Sequence, residues 1–271
     1  MNEDTITAKL RRRAPLIGDD CAVVRSPTRR DLLFTTDFSI EGVHFTRESA
    51  PEEIGYRALA RGLSDVAAMG GTPLYCLVSL ALAPWTDQHW IDGFYSGIHK
   101  LLRKVKASLA GGDISHAKQL VSDVMVCGSI ARGKALLRSG AKPGDIIYVS
   151  GPLGGWRHKP VIEPRLDEGR ALVGKAHSCM DISDGLALDL HRLCLASGVS
   201  AELDTVPLLP GATLEQALHD GEDYELLYTA GPRVHVPGIR IGEINRGKPG
   251  ALKYQGESIA PIGYDHIQHR S

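Results

Sequence analysis

The chain has no surplus of positive charge. Lys and Arg number 31 against 32 Asp and Glu, a formal net charge of -1 over 271 residues. A dedicated nucleic-acid binder needs a basic excess to neutralise phosphates, so that class is set aside. Phosphate-bearing small molecules stay open, because local charge decides their binding. Long apolar runs are also missing. The longest, Leu74 to Ala83, is ten residues and contains Ser79. A membrane-spanning helix needs ~20 such residues, so this run reads as a buried strand or helix. The start, MNEDTITAKLRRR, is polar and shows no apolar signal-peptide segment. A cytoplasmic protein with no membrane partner is the expectation.

Paired cysteines are lacking too. Cys21, Cys76, Cys127, Cys179 and Cys194 are an odd number, widely spaced and without a C-x-x-C. This excludes zinc-site spacing and argues against a disulfide framework in a chain long enough to bury a core. Buried structural thiols are expected. Neither a G-x-S-x-G elbow nor H-E-x-x-H is present. The run Gly128 to Ala135 (GSIARGKA) nearly fits a phosphate-binding P-loop but ends in Ala135, which cannot bind Mg²⁺. The turn-like Gly151-Pro-Leu-Gly154-Gly155 lacks G-x-G-x-x-G spacing. Arg11 to Arg13 reads as a solvated face.

What remains is an ordinary globular composition, 43% hydrophobic, with strand-like and helix-like segments alternating. Strands are expected at 31–38, 74–83, 120–132, within 138–151 and at 224–230. Helices are expected at 51–71, around 87–106 and at 184–198. Pro51 and two glutamates open the first of these and Gly70-Gly71 stop it; Ser183 is expected to cap the last, with Gly198 ending it. The fold class is therefore α/β or α+β. A domain boundary is placed near residue 140, giving residues 1–139 and 140–271.

Chemistry is suggested by carboxylates beside Gly, Ser or Thr. They occur at Gly18-Asp19-Asp20, Thr35-Thr36-Asp37, Ser64-Asp65, Gly112-Asp113, Asp181-Ile182-Ser183-Asp184 and Gly221-Glu222-Asp223. Any one of these is ordinary turn chemistry. Six together, several following apolar strands, suit a hard cation such as Mg²⁺ or Ca²⁺, and Mg²⁺ commonly arrives with substrate phosphates. Asp65 is the most informative: it lies inside the 51–71 helix, in line with Ala58, Gly62 and Met69. Buried and unpaired it would be costly, so it either reaches solvent or meets a cation.

Taken in order, IGDDCAVV, TTDFSIEGVHF, LSDVAAMGG, GGDIS, RSGAKPGD, MDISDGL, GEDYELL and the terminal GYDH resemble the thiamine-monophosphate kinase family. That family sits within the aminoimidazole ribonucleotide synthetase-like ATP-dependent enzymes. The resemblance runs from about residue 17 to 266. It implies a two-domain fold whose N-terminal sheets pair as a dimer barrel, with a C-terminal α/β domain. It also implies a homodimer, and transfer of the ATP γ-phosphate to thiamine monophosphate. Asp20, Thr35, Thr36, Asp37, Asp65, Asp113, Asp181 and Asp184 match its Mg²⁺ positions. Gly112, Asp113, Arg138, Ser183 and, more loosely, Tyr95 match its ATP positions; His44 and Glu222 match its substrate positions. No general base is implied, since the acceptor phosphate is mostly ionised at neutral pH. The alternatives are another ATP-dependent synthetase or maturation enzyme of the same superfamily, and a non-catalytic nucleotide-binding module. Three departures from the family pattern stand out: the lead segment before residue 17, the compressed stretch 151–170, and Pro261 where an aromatic residue is common.

Overall fold

The computed structural model describes residues 18–158 and 161–264, together with Thr5, Leu10, Ala14 and Leu16. Arg11–Arg13 and the last two residues of the GYDH motif lie outside the described residues. The first sheet is built from β1 (Ala22–Arg25), β2 (Arg30–Ile40), β3 (Thr72–Leu82), β4 (Ser108–His116) and β5 (Val121–Ala131), in the order β1-β2-β5-β3-β4. All neighbours are antiparallel except β3 and β4, which run parallel.

That parallel pair requires a crossover, supplied by α2 (Gln88–Val105). Asp87 caps it by accepting from the Trp90 N–H at 2.8 Å, and Lys106 ends it in the left-handed region. Helix α1 (Pro51–Ala68) lies between β2 and β3 in sequence and packs on β2, β5 and α2. The helices touch at Gly55 and Gly97. A Cβ at either would stand 2.0 Å from a carbonyl oxygen of the facing helix, so only glycine permits this approach.

The second sheet contains β6 (Ile146–Val149), β7 (Ala176–Asp181), β8 (Ser200–Leu203), β9 (Leu226–Ala230), β10 (Ile239–Asn245), β11 (Leu252–Tyr254) and β12 (Glu257–Ser258). Its order is β12-β11-β8-β10-β6-β9-β7. Three helices accompany it: α3 (Leu166–Leu172), α4 (Leu186–Ser197) and α5 (Leu214–His219). One core surrounds α1 and reaches across to Leu166, Leu172, Cys179 and Leu226. A second core lies between the second sheet and α4. Helix α1 thus meets both sheets, which places its residues where the two halves face each other.

Most expected elements are present with boundaries shifted by a few residues. One correction concerns Ser183. Helix α4 starts at Leu186 with Gly185 before it, and no side chain caps that end. The buried Asp189 carboxylate instead reaches back to accept from the N–H groups of Ser183 and Asp184, at 3.0 and 2.9 Å. Gly198 ends the helix in the left-handed region, as expected. All five cysteines are buried and free. The near-P-loop is the end of β5 and its turn, where the Gly133 N–H donates to Asp31 at 2.8 Å. No helix among the described residues occupies 151–165.

Candidate active site between the two sheets

Strand alternation decides which side of the first sheet each β2 residue serves. Leu33, Thr35 and Asp37 turn toward α1; Thr36 and Phe38 turn to the opposite, open face. The Thr35 hydroxyl donates to the Asp65 carboxylate, bringing β2 and α1 together at one point. The Thr36 hydroxyl bonds Asp123 at 2.5 Å on the open face, away from that point. Thr35 and Asp37 are therefore brought to Asp65, and the Thr36 side chain is not.

Four carboxylates from four separate segments influence one another here. Burial first, and then Asp37, Asp181 and Asp20, push Asp65 well above the ordinary carboxylate range. Burial, followed by Asp20 and with Asp189 and Asp37 adding, does the same to Asp181. Asp20 is raised mainly by burial, against the opposing pull of Arg138. Such mutual repulsion in a buried place is costly unless protons or cations relieve it. Asp20 Oδ1 accepts from Arg138 at 2.6 Å, while its buried Oδ2 has no hydrogen-bond partner. Hard oxygen donors, one of them buried and unsatisfied, fit Mg²⁺. Among the described residues no three His, Cys, Asp or Glu side chains converge as a preformed metal cage.

A surrounding layer holds the carboxylates in place. Ser64, fully buried on α1, donates to Asp181 Oδ2 at 2.6 Å. The Arg138 backbone N–H donates to Asp19 at 2.7 Å. Arg192 of α4 reaches Asp184 at 2.5 Å and Asp189 at 3.0 Å. Burial, and then the neighbouring Asp184, push Asp189 up to about 7. Asp189 and Arg192 were not among the expected site residues, and Ser64 entered only as the neighbour of Asp65.

The expected substrate residues have partners of their own. Glu222 forms ion pairs with Arg57, at 2.8 Å, and with Arg61 on α1. The His44 ring nitrogen Nδ1 accepts from the Ile40 N–H at 3.0 Å. The other acids of the GEDYE segment are structural. Asp223 accepts from the N–H groups of Gly154 and Gly155, both at 3.0 Å, so the GPLGG turn is a mount for this loop. Glu225 takes a two-pronged ion pair from Arg165, at 2.8 and 2.6 Å. The Ser183 carbonyl accepts from the Glu222 N–H at 2.7 Å.

Gly112, Asp113 and Tyr95 stand apart. Asp113 is exposed on the edge strand β4, opposite Ser79, and is not among the groups that perturb the four carboxylates. Gly112 has a structural reason of its own: a Cβ there would lie 1.8 Å from the Val78 carbonyl oxygen across the β3–β4 pair. Tyr95 packs edge-on against Phe94 at 5.7 Å in the α2 layer. Pro261 is exposed, near the Tyr264 N–H that donates to the Asp184 carbonyl.

Comparison with known proteins gives a consistent picture. Residues 18–130 match the family model described as AIR synthase related protein, N-terminal domain. The thiamine-monophosphate kinase of Haemophilus influenzae is 32% identical over 309 aligned positions, covering 93% of this chain and 91% of that protein. The thiamine-monophosphate kinase of Bacillus subtilis is 34% identical, with 93% of each chain covered. Among solved structures, AaThiL complexed with AMPPCP and TMP superposes with a TM-score of 0.90 at 30% identity, covering 98% of this chain and 97% of that one.

Proposed function

The chain belongs to the thiamine-monophosphate kinase family, and from that premise we propose that it transfers the γ-phosphoryl group of ATP to thiamine monophosphate, releasing ADP and thiamine diphosphate. The observation that carries this reading is that four carboxylates from separate segments, Asp20 before β1, Asp37 on β2, Asp65 on α1 and Asp181 on β7, come near enough to act on one another's ionisation. A non-catalytic nucleotide module has no use for such a costly arrangement. A synthetase or maturation activity on the same fold has no specific feature here in its favour.

The chemistry follows from charge. The acceptor is a phosphate monoester whose second pKa is ~6, so its attacking oxygen is largely ionised at neutral pH and needs no base. The barrier is bringing two polyanions into line. Asp20, Asp37, Asp65 and Asp181, with Thr35 orienting Asp65, would hold Mg²⁺, and Asp184 would extend the set. Bound there, Mg²⁺ supplies charge neutralisation and in-line orientation of the phosphates. Ser64 keeps Asp181 aimed, and Arg192 keeps Asp184 aimed. Arg138, with its buried Nε making no hydrogen bond, supplies positive charge beside Asp20 for the nucleotide phosphates. Ser183, one residue from Asp184, is the remaining nucleotide contact on this side. His44 and Glu222 contact the acceptor.

Gly112, Asp113 and Tyr95 complete the nucleotide site in a homodimer. Support for pairing comes from the open face of the first sheet, where Phe38, Tyr75 and Leu77 are exposed among the described residues. Matching such a face to its copy buries apolar surface. The division into residues 1–139 and 140–271 is supported by the change of sheet between Ala131 and Ile146. Among the described residues no helix is long and apolar enough to cross a membrane. Five free cysteines suit a reducing compartment, which supports a cytoplasmic placement. The test is incubation of purified protein with ATP, Mg²⁺ and thiamine monophosphate, with thiamine diphosphate followed by chromatography. Product above a no-enzyme control is expected; its absence from folded protein would refute the proposal.

A further inference from the structure

We propose that Arg57 and Arg61 form a two-guanidinium cradle that positions Glu222 for the acceptor, making this pair determinants of acceptor affinity. The inference rests on the kinase reading above and extends it to two residues outside the expected site set.

Three observations carry it. First, both guanidiniums reach the same carboxylate, one to each oxygen: Arg57 to Oε2 at 2.8 Å and Arg61 to Oε1. The Arg61 side chain is itself nearly inaccessible, 5% exposed, and is locked by a 2.9 Å bond to the Phe38 carbonyl and by the Tyr224 ring at 6.0 Å. A buried guanidinium held on three sides has little freedom, so it dictates where Glu222 sits.

Second, the Glu222 backbone is held in a conformation that side chains rarely adopt. Its φ is +69° and that of Tyr224 is +50°. The turn is over-determined: Glu222 N–H bonds the Ser183 carbonyl at 2.7 Å and Tyr224 N–H bonds the Ile182 carbonyl at 2.8 Å. Strain kept in place by so many contacts is a mark of a working position. Here it presents the Glu222 side chain to α1 instead of solvent.

Third, Arg57, Arg61 and Asp65 follow one another at four-residue spacing on α1. At 1.5 Å per residue, each step is about 6 Å along the axis on nearly the same face. One rigid helix therefore carries the Glu222 cradle at one end of the site and the metal-binding Asp65 at the other. The spacing between acceptor and phosphates is set by α1 and not by loops.

Thiamine carries a cationic ring and an amino group, so an ionised carboxylate is the complementary contact. Arg57 and Arg61 keep Glu222 aimed without touching the reacting atoms; they are positioning residues. If they served only to join the two halves of the protein, their loss would lower stability and affect both substrates alike.

The experiment uses the full-length enzyme with ATP, Mg²⁺ and thiamine monophosphate, together with calorimetric titration of thiamine monophosphate alone. Arg61→Met is expected to raise the KM and Kd for thiamine monophosphate about tenfold or more, with the KM for ATP within about twofold, and Arg61→Lys to recover part of the loss. Arg57→Met should act in the same direction and serves as the reading if Arg61→Met does not fold. Adding Arg61→Met to Glu222→Gln should cost nothing further, because the arginine acts through Glu222. Equal changes in both substrates, or additive losses in the double variant, would overturn the proposal. Wild-type protein that binds thiamine monophosphate without phosphorylating it would refute the kinase reading, while the calorimetric arm still decides the role of the arginines. Wild-type protein that does not bind it would refute both.

Discussion

Ser64 on α1 donates a 2.6 Å hydrogen bond to Asp181 at the end of β7, linking residues 117 apart in the chain and joining the two sheets inside the carboxylate cluster. The hydroxyl is fully buried, and Asp181 is 3% exposed. Replacing it leaves a buried carboxylate oxygen without its donor.

Ser64→Ala is therefore expected to destabilise the protein by about 1–3 kcal/mol, the cost of an unsatisfied buried polar group. Denaturant unfolding measures this. The same variant should need more Mg²⁺ for half-maximal activity, because Asp181 is no longer held in one orientation.

Asp65→Asn separates folding from catalysis. The substitution removes one charge from a mutually repelling set, so without metal the variant should melt at or above the wild-type temperature. Its turnover should fall by about 10³-fold, or ~4 kcal/mol of transition-state stabilisation. A variant with near wild-type rate would remove Asp65 from the metal site.

The cluster also predicts how stability depends on pH. Asp20, Asp65 and Asp181 are raised above the ordinary value of 3.8, and Asp189 reaches about 7. The folded state then binds more protons than the unfolded state between these limits, so raising pH through that window lowers stability. Metal-free protein should lose melting temperature from about pH 4 to beyond pH 7. Mg²⁺ should restore it, and by more at pH 7.5 than at pH 5, where protons compete for the same oxygens. Melting curves with Mg²⁺ and with a chelator at both pH values read this directly.

A structural control lies next to the site. Glu225 is almost fully buried and its charge is met by the two-pronged Arg165. Arg165→Met leaves that carboxylate uncompensated and is expected to cost about 3–5 kcal/mol. Because Arg165 touches neither the cluster nor Glu222, the kinetics of the folded fraction should stay close to wild type.

Much of this was readable beforehand, for reasons that differ by element. Helices α1 and α2 carry local signals, with Pro51 and Glu52 opening one and Asp87 capping the other. Edge strand β4 has no such signal: Ser108–His116 is almost entirely exposed and rich in Gly and Ser, and only pairing with β3 across a helix makes it a strand. Asp37 and Asp65 were legible because bare acids beside Thr or Ser at element ends are unusual in number. Arg57 and Arg61 were not, since their partner Glu222 lies 165 and 161 residues away. Thr36 shows the limit of reading a motif as a block. It shares TTD with Thr35 and Asp37, yet strand alternation turns it to the opposite face.

The central claim is that these carboxylates support phosphoryl transfer to thiamine monophosphate. The most direct test follows ATP labelled in the γ-phosphate, with Mg²⁺ and thiamine monophosphate, comparing wild-type protein with Asp65→Asn. Label is expected to pass into thiamine diphosphate in step with ADP formation, and Asp65→Asn is expected to slow that transfer by about 10³-fold. Label appearing only as inorganic phosphate, or equal transfer by both proteins, would contradict the claim.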